Sequence, residues 1–275
     1  MKSYEICVFS GTGNTKKCAE RLQEELIKLG ADAQITVIES GKEKKKGAGI
    51  PVICYPVHGF GAPRNVLDFV KNTPEGQGEA YIVKTSGEPL RLNDDSSATL
   101  KKLLRKKGYD VRAEYHYIMP YNMIFRHSDA MASKMYAVAK KKIAADAKEI
   151  VSGAERKKKI TLRARLAYNV NRIERPGVRF NGLLFRINKK QCVKCGLCVK
   201  CCPMDNIAYE NGKFRFGNNC ILCARCSFTC PKNAVRIGLM DFLRVNGRYD
   251  FNADPAEAKI GRYCRRSYIH YFSEE

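Results

Sequence analysis

One cysteine pattern in the last third of the chain constrains this sequence more than any other feature. The string C-x2-C-x2-C-x3-C-P occurs twice, starting at Cys192 and at Cys220, so every position of the first copy has an equivalent 28 residues later. Eight of the chain's thirteen cysteines belong to the two strings, and Cys201 is an additional cysteine inside the first. Ile207 and Val235 also occupy equivalent positions beyond the two prolines. Thiols at this density indicate a segment that folds around something the thiols bind.

Iron-sulfur chemistry explains the spacing. Three thiolates two residues apart can ligate three irons of a 4Fe-4S cube, and the fourth cysteine, followed by a chain-turning proline, reaches the neighbouring cube. We therefore predict two 4Fe-4S clusters, ligated by Cys192, Cys195, Cys198 and Cys230 and by Cys220, Cys223, Cys226 and Cys202. A pair of zinc sites is the alternative, but zinc needs only four ligands per site and leaves the evenly stepped third cysteines unexplained. Residues 190–238 resemble the bacterial-type ferredoxins that carry two such clusters.

The cysteines outside the repeat need a different explanation. The sequence contains no run of about eighteen apolar residues, and its first residues lack the basic head and apolar stretch of a signal peptide. We therefore expect a cytoplasmic protein without a transmembrane segment, in a compartment where disulfides are rare. Cys7, Cys18 and Cys54 fall in strand or helix patterns and are expected to be small core residues.

A second motif lies at the N-terminus. The strand-like residues 4–9 lead into Ser10-Gly11-Thr12-Gly13-Asn14-Thr15 and then into a helical pattern that ends near Gly30. Such a turn presents backbone N–H groups and hydroxyls to an anion at the positive end of a helix. It lacks the lysine of a P-loop and the spacing of a dinucleotide motif, which favours a phosphomonoester over ATP or NAD. The string resembles the phosphate loop of flavodoxins, and this resemblance implies FMN held by Ser10, Thr12, Gly13, Asn14 and Thr15.

The rest of the first half is consistent with that resemblance. Strand-like runs at 33–38, 50–55, 80–85 and 111–118 alternate with helical patterns near 62–72, 95–107 and 129–151, which predicts a parallel, doubly wound α/β sheet. In the flavodoxin-like strand order 2-1-3-4-5, a ligand lies beyond the carboxyl ends of the strands. The turns at that edge supply the remaining residues of the predicted FMN site: Pro56, His58, Gly59, Phe60, Thr85, Ser86, Gly87, Tyr121 and Asn122.

The surroundings of the flavin ring are less defined than the phosphate site. Flavodoxins commonly hold the ring between a Trp and a Tyr, but this chain has no Trp. Phe60, Tyr55 and Tyr121 are the candidates for stacking, and His58 either hydrogen-bonds the flavin or lies at the surface. The remaining histidines, His116, His127 and His270, are expected to be structural or solvated. Residues 41–49 are too few for a helix, which predicts a contracted connection there.

The charge distribution bears on partners. The formal net charge is +22, of which +7 falls in residues 1–150 and +15 in residues 151–275. Such an excess is typical of proteins that bind nucleic acid or an anionic membrane surface, or that steer an acidic partner. No basic platform interleaved with aromatic residues accompanies it, which disfavours nucleic acid. We expect an acidic redox partner protein, with peripheral membrane contact as the alternative, and the oligomeric state stays open.

The order of segments resembles a family of flavodoxin-ferredoxin fusion proteins of anaerobic bacteria, the EFR-type ferredoxins. The resemblance implies a flavodoxin-like FMN domain over 1–152, a basic linker over 153–185, a small α+β domain with two 4Fe-4S clusters over 186–240, and a tail over 241–275. The tail contains the segment 245–251, VNGRYDF, which is part of the resemblance.

This resemblance implies an electron-transfer protein that passes electrons between the two clusters and FMN, and so links a low-potential partner to a second acceptor. Such a role needs no general base or nucleophile, which favours an electron carrier over a substrate-turning oxidoreductase. Two alternatives stay open: a flavin-dependent reductase of a small organic molecule that the clusters supply with electrons, and a cluster-stabilised, basic nucleic-acid-binding module.

Overall fold

A computed structural model describes residues 1–43, 45 and 49–273, and for residues 171–175 it describes the backbone alone. The first half alternates strands and helices along the chain: β1 (Ser3–Val8), α1 (Asn14–Lys28), β2 (Asp32–Val37), β3 (Ile50–Pro56), α2 (Arg64–Asn72), β4 (Gly78–Ser86), α3 (Ala98–Lys106), β5 (Tyr109–Ile118) and α4 (Asp129–Ser152). A 3-10 turn, Leu92–Asp95, precedes α3. The predicted strands and helices are all present, with ends within a few residues of those expected.

The five strands form one parallel sheet in the order β2-β1-β3-β4-β5. This is the flavodoxin-like order, and it confirms the predicted fold of the first half. Side chains alternate between the two faces of each strand. On β1, for example, Ile6 packs with α1 and α4, whereas Cys7 packs with α2 and α3. Cys7, Cys18 and Cys54 are fully buried, which confirms them as core residues.

The segment predicted as a basic linker contains a long helix, α5 (Leu162–Leu183). The Thr161 hydroxyl accepts a hydrogen bond from the Ala164 N–H and caps the helix start. Ahead of the helix, Lys158 forms an ion pair with the buried Asp94 at 2.6 Å. The Tyr168 hydroxyl is hydrogen bonded to that of Thr99. The segment therefore packs on the sheet domain. Residues 41–49, predicted to be a contracted connection, lie partly outside the described residues.

The cysteine-rich segment consists of short elements: β6 (Arg186–Ile187), α6 (Leu197–Lys200), β7 (Ile207–Glu210), β8 (Lys213–Phe216), α7 (Arg225–Phe228) and β9 (Val235–Arg236). β6 pairs antiparallel with β9, and β7 pairs antiparallel with β8. Beyond them lie 3-10 turns at Gly238–Leu243 and Pro255–Glu257 and a last helix, α8 (Arg265–Ser273). None of the described helices is long and apolar enough to cross a membrane.

The sequence repeat is also a structural repeat. Helices α6 and α7 begin 28 residues apart, and the equivalent side chains of Ile207 and Val235 are both buried in the small core of this segment. Three pairs of residues at the same offset share a left-handed backbone conformation: Lys194 with Leu222, Gly196 with Ala224, and Asp205 with Asn233. The two halves of the segment therefore fold into the same local shape around their cysteines.

Candidate functional site

The turns predicted to form one site meet at the carboxyl edge of the sheet. The hydroxyls of Thr15 and Thr85 are hydrogen bonded at 2.8 Å, which joins the first turn to the turn after β4. The turn after β5 joins them, because Asn14 Nδ2 donates to the Pro120 carbonyl at 2.8 Å and Asn122 Nδ2 donates to Thr12 Oγ1 at 3.2 Å. Parallel strand order places these turns side by side, as the sequence indicated.

The turn from Ser10 to Thr15 has the features of an anion site. Gly13 has φ of 104°, a left-handed conformation that glycine adopts without strain, and its N–H donates to Ser10 Oγ at 3.1 Å. Among the described residues, no side chain caps the start of α1, and its first turn carries no acidic residue. The positive end of this helix is therefore open to an anion. Thr15 is fully buried and its hydroxyl contacts Thr85, so Thr15 fixes the turn.

The turn after β3 lies against the cysteine-rich segment. Gly59 is exposed, and both Gly59 and Phe60 have positive φ values. The His58 ring packs edge-on against Phe9, with centroids 6.0 Å apart, and the neighbouring Val57 packs in the same apolar cluster as Ile221 of the cysteine-rich segment. Burial lowers the pKa of His58 to about 4, so the ring is neutral at pH 7. His58 is therefore partly buried and is not a free surface residue, which was one of the two expectations for it.

The turn after β4 is covered by aromatic side chains. A Cβ added to Gly87 would lie 2.6 Å from the Tyr121 ring, which shows that this ring rests directly on the glycine backbone. Tyr121 stacks on His127 with centroids 5.8 Å apart and an interplanar angle of 10°. Ser86 Oγ is hydrogen bonded to His116 Nε2 at 2.8 Å, so His116 has a structural role in this turn. The sequence did not identify the other members of this aromatic group, Phe125, Tyr263 and Tyr268.

The structure separates the three stacking candidates. Tyr55 is fully buried in the core between the sheet and helices α2 and α3, and its hydroxyl is hydrogen bonded to Ser97 at 2.7 Å. Its ring is therefore not available to a ligand at the edge of the sheet. Tyr121 and Phe60 both lie in turns at that edge and keep partly exposed side chains.

Four cysteines of the repeat line one cavity. Cys202, Cys220, Cys223 and Cys226 surround it together with Phe185, Met204 and Ile207. They are the four residues predicted to ligate the second cluster. Cys201 points elsewhere, because its Sγ lies 3.7 Å from the Thr229 hydroxyl. For the first predicted cluster, Cys198 and Cys230 both pack against the small apolar core of the cysteine-rich segment.

Backbone N–H groups point at four of the sulfurs. The N–H groups two residues after Cys192 and Cys220 donate to those sulfurs at 3.4 and 3.3 Å. The N–H groups that lie four positions after Cys202 and Cys230 donate to the sulfurs of these two cysteines at 3.3 and 3.2 Å. N–H···S contacts of this kind stabilise negative charge on a cluster and help to set its potential.

The buried thiols of this cavity favour their neutral, protonated form. Burial raises the pKa of Cys220 to about 11 and that of Cys223 to about 12. A buried thiolate is stable only beside a compensating positive charge, which iron supplies. Among the described residues, no three Cys, His, Asp or Glu side chains converge on a point that a single metal ion could share. In a 4Fe-4S cube each thiolate binds its own iron, so its ligands need not converge in that way.

The two candidate sites are in direct contact. A Cβ added to Gly11 would lie 2.6 Å from the Cys223 carbonyl oxygen, so the first turn and the second cysteine loop touch backbone to backbone. Arg225 holds them together, because its Nη2 donates to the Ser10 carbonyl at 2.8 Å and its Nε donates to the Gly11 carbonyl at 3.1 Å. Its Nη1 also forms an ion pair with Glu39 at 2.6 Å.

The tail segment 245–251 ties the cysteine-rich segment to the sheet domain. Asn246 Nδ2 donates to the carbonyls of Ser227 and Cys230 at 2.7 and 3.0 Å. Three residues further on, the Tyr249 hydroxyl donates to the Tyr121 carbonyl at 2.6 Å. Arg126 completes the connection, since it donates to the carbonyls of residues 247 and 248. The tail motif therefore has a structural role that the sequence alone did not reveal.

We expect Asn246→Ala to destabilise the protein by about 1–3 kcal/mol, because two carbonyl groups lose their shared donor. The free energy of unfolding from urea titration measures this effect. Asn252→Ala, at an exposed asparagine in the same tail, is the matched control and should change stability by less than about 0.5 kcal/mol. Equal effects of the two substitutions would contradict the role assigned to Asn246.

These features define a flavodoxin-like α/β domain followed by a cysteine-rich repeat that packs on the carboxyl edge of its sheet. Comparisons with known proteins match the N-terminal part, about 55% of the chain. A short-chain flavodoxin associated with a bacterial microcompartment is 16% identical, with 56% of this chain and 99% of that chain covered and a TM-score of 0.40.

Two further structures are similar over the same part of the chain. A flavodoxin from Streptococcus pneumonia is 13% identical, with 55% and 97% of the two chains covered and a TM-score of 0.38. An NAD(P)H:quinone oxidoreductase from Methanothermobacter marburgensis is 11% identical, with 55% and 98% covered and a TM-score of 0.39. No protein-family model matches the sequence, and no curated protein matches it.

Proposed function

We propose that this chain is an electron-transfer protein that binds FMN at the carboxyl edge of its sheet and two 4Fe-4S clusters in its cysteine repeat. When bound, these groups would exchange electrons one or two at a time at the flavin and one at a time at each cluster. The direct contact between the Ser10–Thr15 turn and the Cys223 loop is the observation that carries the proposal. This contact would bring the two proposed cofactors close to each other within one chain.

The residues of the first turn support phosphate recognition in particular. Arg225 binds the carbonyl groups of Ser10 and Gly11 and so fixes the orientation of that backbone. The hydroxyls of Ser10 and Thr12 and the N–H groups at the start of α1 remain on the turn as donors to an anion. Tyr121 and Phe60 are the side chains that could pack on the flavin ring. The acidic redox partner expected from the charge belongs to the same proposal, with a low-potential donor on one side and a second acceptor on the other.

The positions of the fourth cysteine of each string, Cys202 and Cys230, support the proposed ligand sets of the two clusters. Cys202 belongs to the first string but lines the cavity with the cysteines of the second, as exchange of the fourth ligand requires. Cys230, from the second string, and Cys198, from the first, pack against the same small core. The N–H donors to Cys202 and Cys230 occur at equivalent positions, so both fourth ligands are oriented in the same way.

Anaerobic reconstitution with iron, sulfide and FMN tests this function. We expect about eight iron atoms and one FMN per chain, because two 4Fe-4S clusters and one flavin are proposed. Riboflavin is the matched control ligand, and it should bind at least about tenfold more weakly than FMN because it lacks the phosphate that the turn recognises. Iron without flavin, or equal affinity for FMN and riboflavin, would overturn the proposal.

A further inference from the structure

Helix α5 has an apolar face on each side. Its inner face packs on the sheet domain through the buried side chains of Ala164 and Tyr168. On its outer face Leu162, Leu166 and Val170 follow one another at four-residue intervals, and Leu166 and Val170 are 57% and 53% exposed. Residues four apart lie on the same side of a helix, so these side chains form a continuous apolar stripe that points away from the body of the protein.

The apolar surface continues at the far end of the helix. Phe180 and Leu183 are exposed there. The 3-10 turn Gly238–Leu243 is fastened beside them, because Asn181 donates to the carbonyl of residue 237 at 3.0 Å and accepts from the N–H of residue 239 at 2.7 Å. This turn presents Phe242, which is 80% exposed. Large apolar side chains grouped in this way mark an interaction surface.

The charge around this surface indicates which kind of partner it would attract. The helix sequence contains five arginines and one glutamate, and the basic run 156–159 precedes it. Arg163, Arg165 and Arg179 are exposed. A second copy of this chain would bring the same positive charge to the interface, and like charges facing one another oppose association. An anionic surface would instead be attracted.

The shape of the surface favours a lipid bilayer over an acidic protein. The stripe from Leu162 to Val170 is a ridge that runs along about 12 Å of helix α5. A protein partner would have to supply a groove that matches this ridge, whereas a bilayer accepts apolar side chains in any arrangement. A ridge of protruding Leu, Val and Phe with Arg beside it is the pattern of a helix that lies in the plane of a membrane interface.

We propose that the outer stripe of α5, together with Leu239 and Phe242 in the adjoining turn, docks this protein on an anionic membrane surface. The apolar side chains enter the boundary between headgroups and acyl chains, and the arginines contact the lipid phosphates. This role is separate from cofactor binding, because the stripe lies on the side of α5 opposite its contact with the sheet domain.

Vesicle flotation tests the proposal with the full-length protein, reconstituted anaerobically. We expect it to bind vesicles of phosphatidylcholine with about 30% phosphatidylglycerol and to stay in solution with pure phosphatidylcholine. Leu166→Gln with Val170→Gln should weaken binding at least about tenfold. Arg163→Gln with Arg165→Gln should weaken it about 25-fold at low salt, since each basic residue contributes about fivefold.

The control is Ile27→Gln with Val37→Gln, which replaces two exposed apolar residues outside the stripe. This variant should bind vesicles like the unchanged protein, and circular dichroism should show that all variants are folded. No binding to anionic vesicles, or equal loss in the control and stripe variants, would overturn the proposal. A dimer in light scattering that disappears only in the Leu166→Gln, Val170→Gln variant would also overturn it, in favour of a second copy.

Discussion

Cys202→Ala is expected to remove one of the two proposed iron-sulfur clusters, whereas Cys201→Ala should leave both in place. The two cysteines are adjacent in the sequence and either one could complete a spacing pattern. In the structure, however, Cys202 lines the cavity formed with Cys220, Cys223 and Cys226, while Cys201 Sγ contacts the Thr229 hydroxyl. A cube that loses one thiolate ligand keeps an iron without a protein partner and is readily lost.

The measurement is iron content and visible absorbance after anaerobic reconstitution. Cys202→Ala should retain about four iron atoms per chain instead of about eight, because only the first cluster keeps its full set of ligands. Cys201→Ala is the matched control, since it removes a thiol from the neighbouring position. The reverse pattern, with iron lost in Cys201→Ala and kept in Cys202→Ala, would contradict the ligand assignment. Zinc bound in place of iron during anaerobic expression would contradict the cluster chemistry itself.

The parts that the sequence predicted well depend on local chemistry. The 28-residue offset between the two cysteine strings reappears in the backbone, where Gly196 and Ala224 share a left-handed conformation. The parallel sheet follows from apolar strands and from the glycine turn at Gly13, each of which has a strong local signal. The convergence of four turns then follows from the strand order alone.

The parts that the sequence missed depend on contacts between distant residues. Arg225 lies 214 residues from Gly11, and nothing in the local sequence around Arg225 distinguishes it from the other basic residues of a highly charged chain. The resemblance implies a linker over 153–185, but Tyr168 and Lys158 find partners on the sheet domain that only the folded chain provides. The tail motif gains its role from Asn246 in the same way.

Gly11→Ala is expected to separate the Ser10–Thr15 turn from the second cysteine loop. The new Cβ would lie 2.6 Å from the Cys223 carbonyl oxygen and 3.3 Å from the Cys223 Cβ, and the first of these contacts is with backbone that no side-chain rotation can relieve. The two loops must therefore move apart, which also strains the hydrogen bonds from Arg225 to the Ser10 and Gly11 carbonyls. We expect a loss of about 1–3 kcal/mol in the free energy of unfolding, as for other overpacked contacts.

The rate of flavin reduction distinguishes a contact that couples the two proposed cofactor sites from one that only contributes to packing. If the contact couples the two cofactor sites, Gly11→Ala should slow reduction of the bound flavin by the clusters at full iron and FMN occupancy, measured by stopped-flow absorbance. Gly261→Ala is the matched control, because a Cβ there meets no atom within 4 Å, and it should change neither stability nor rate. Arg225→Gln should slow flavin reduction in the same direction as Gly11→Ala, since it removes the guanidinium that holds both carbonyls. An unchanged rate in both variants would mean that electrons do not pass through this contact, and the path between flavin and clusters would then have to run outside the Cys223 loop.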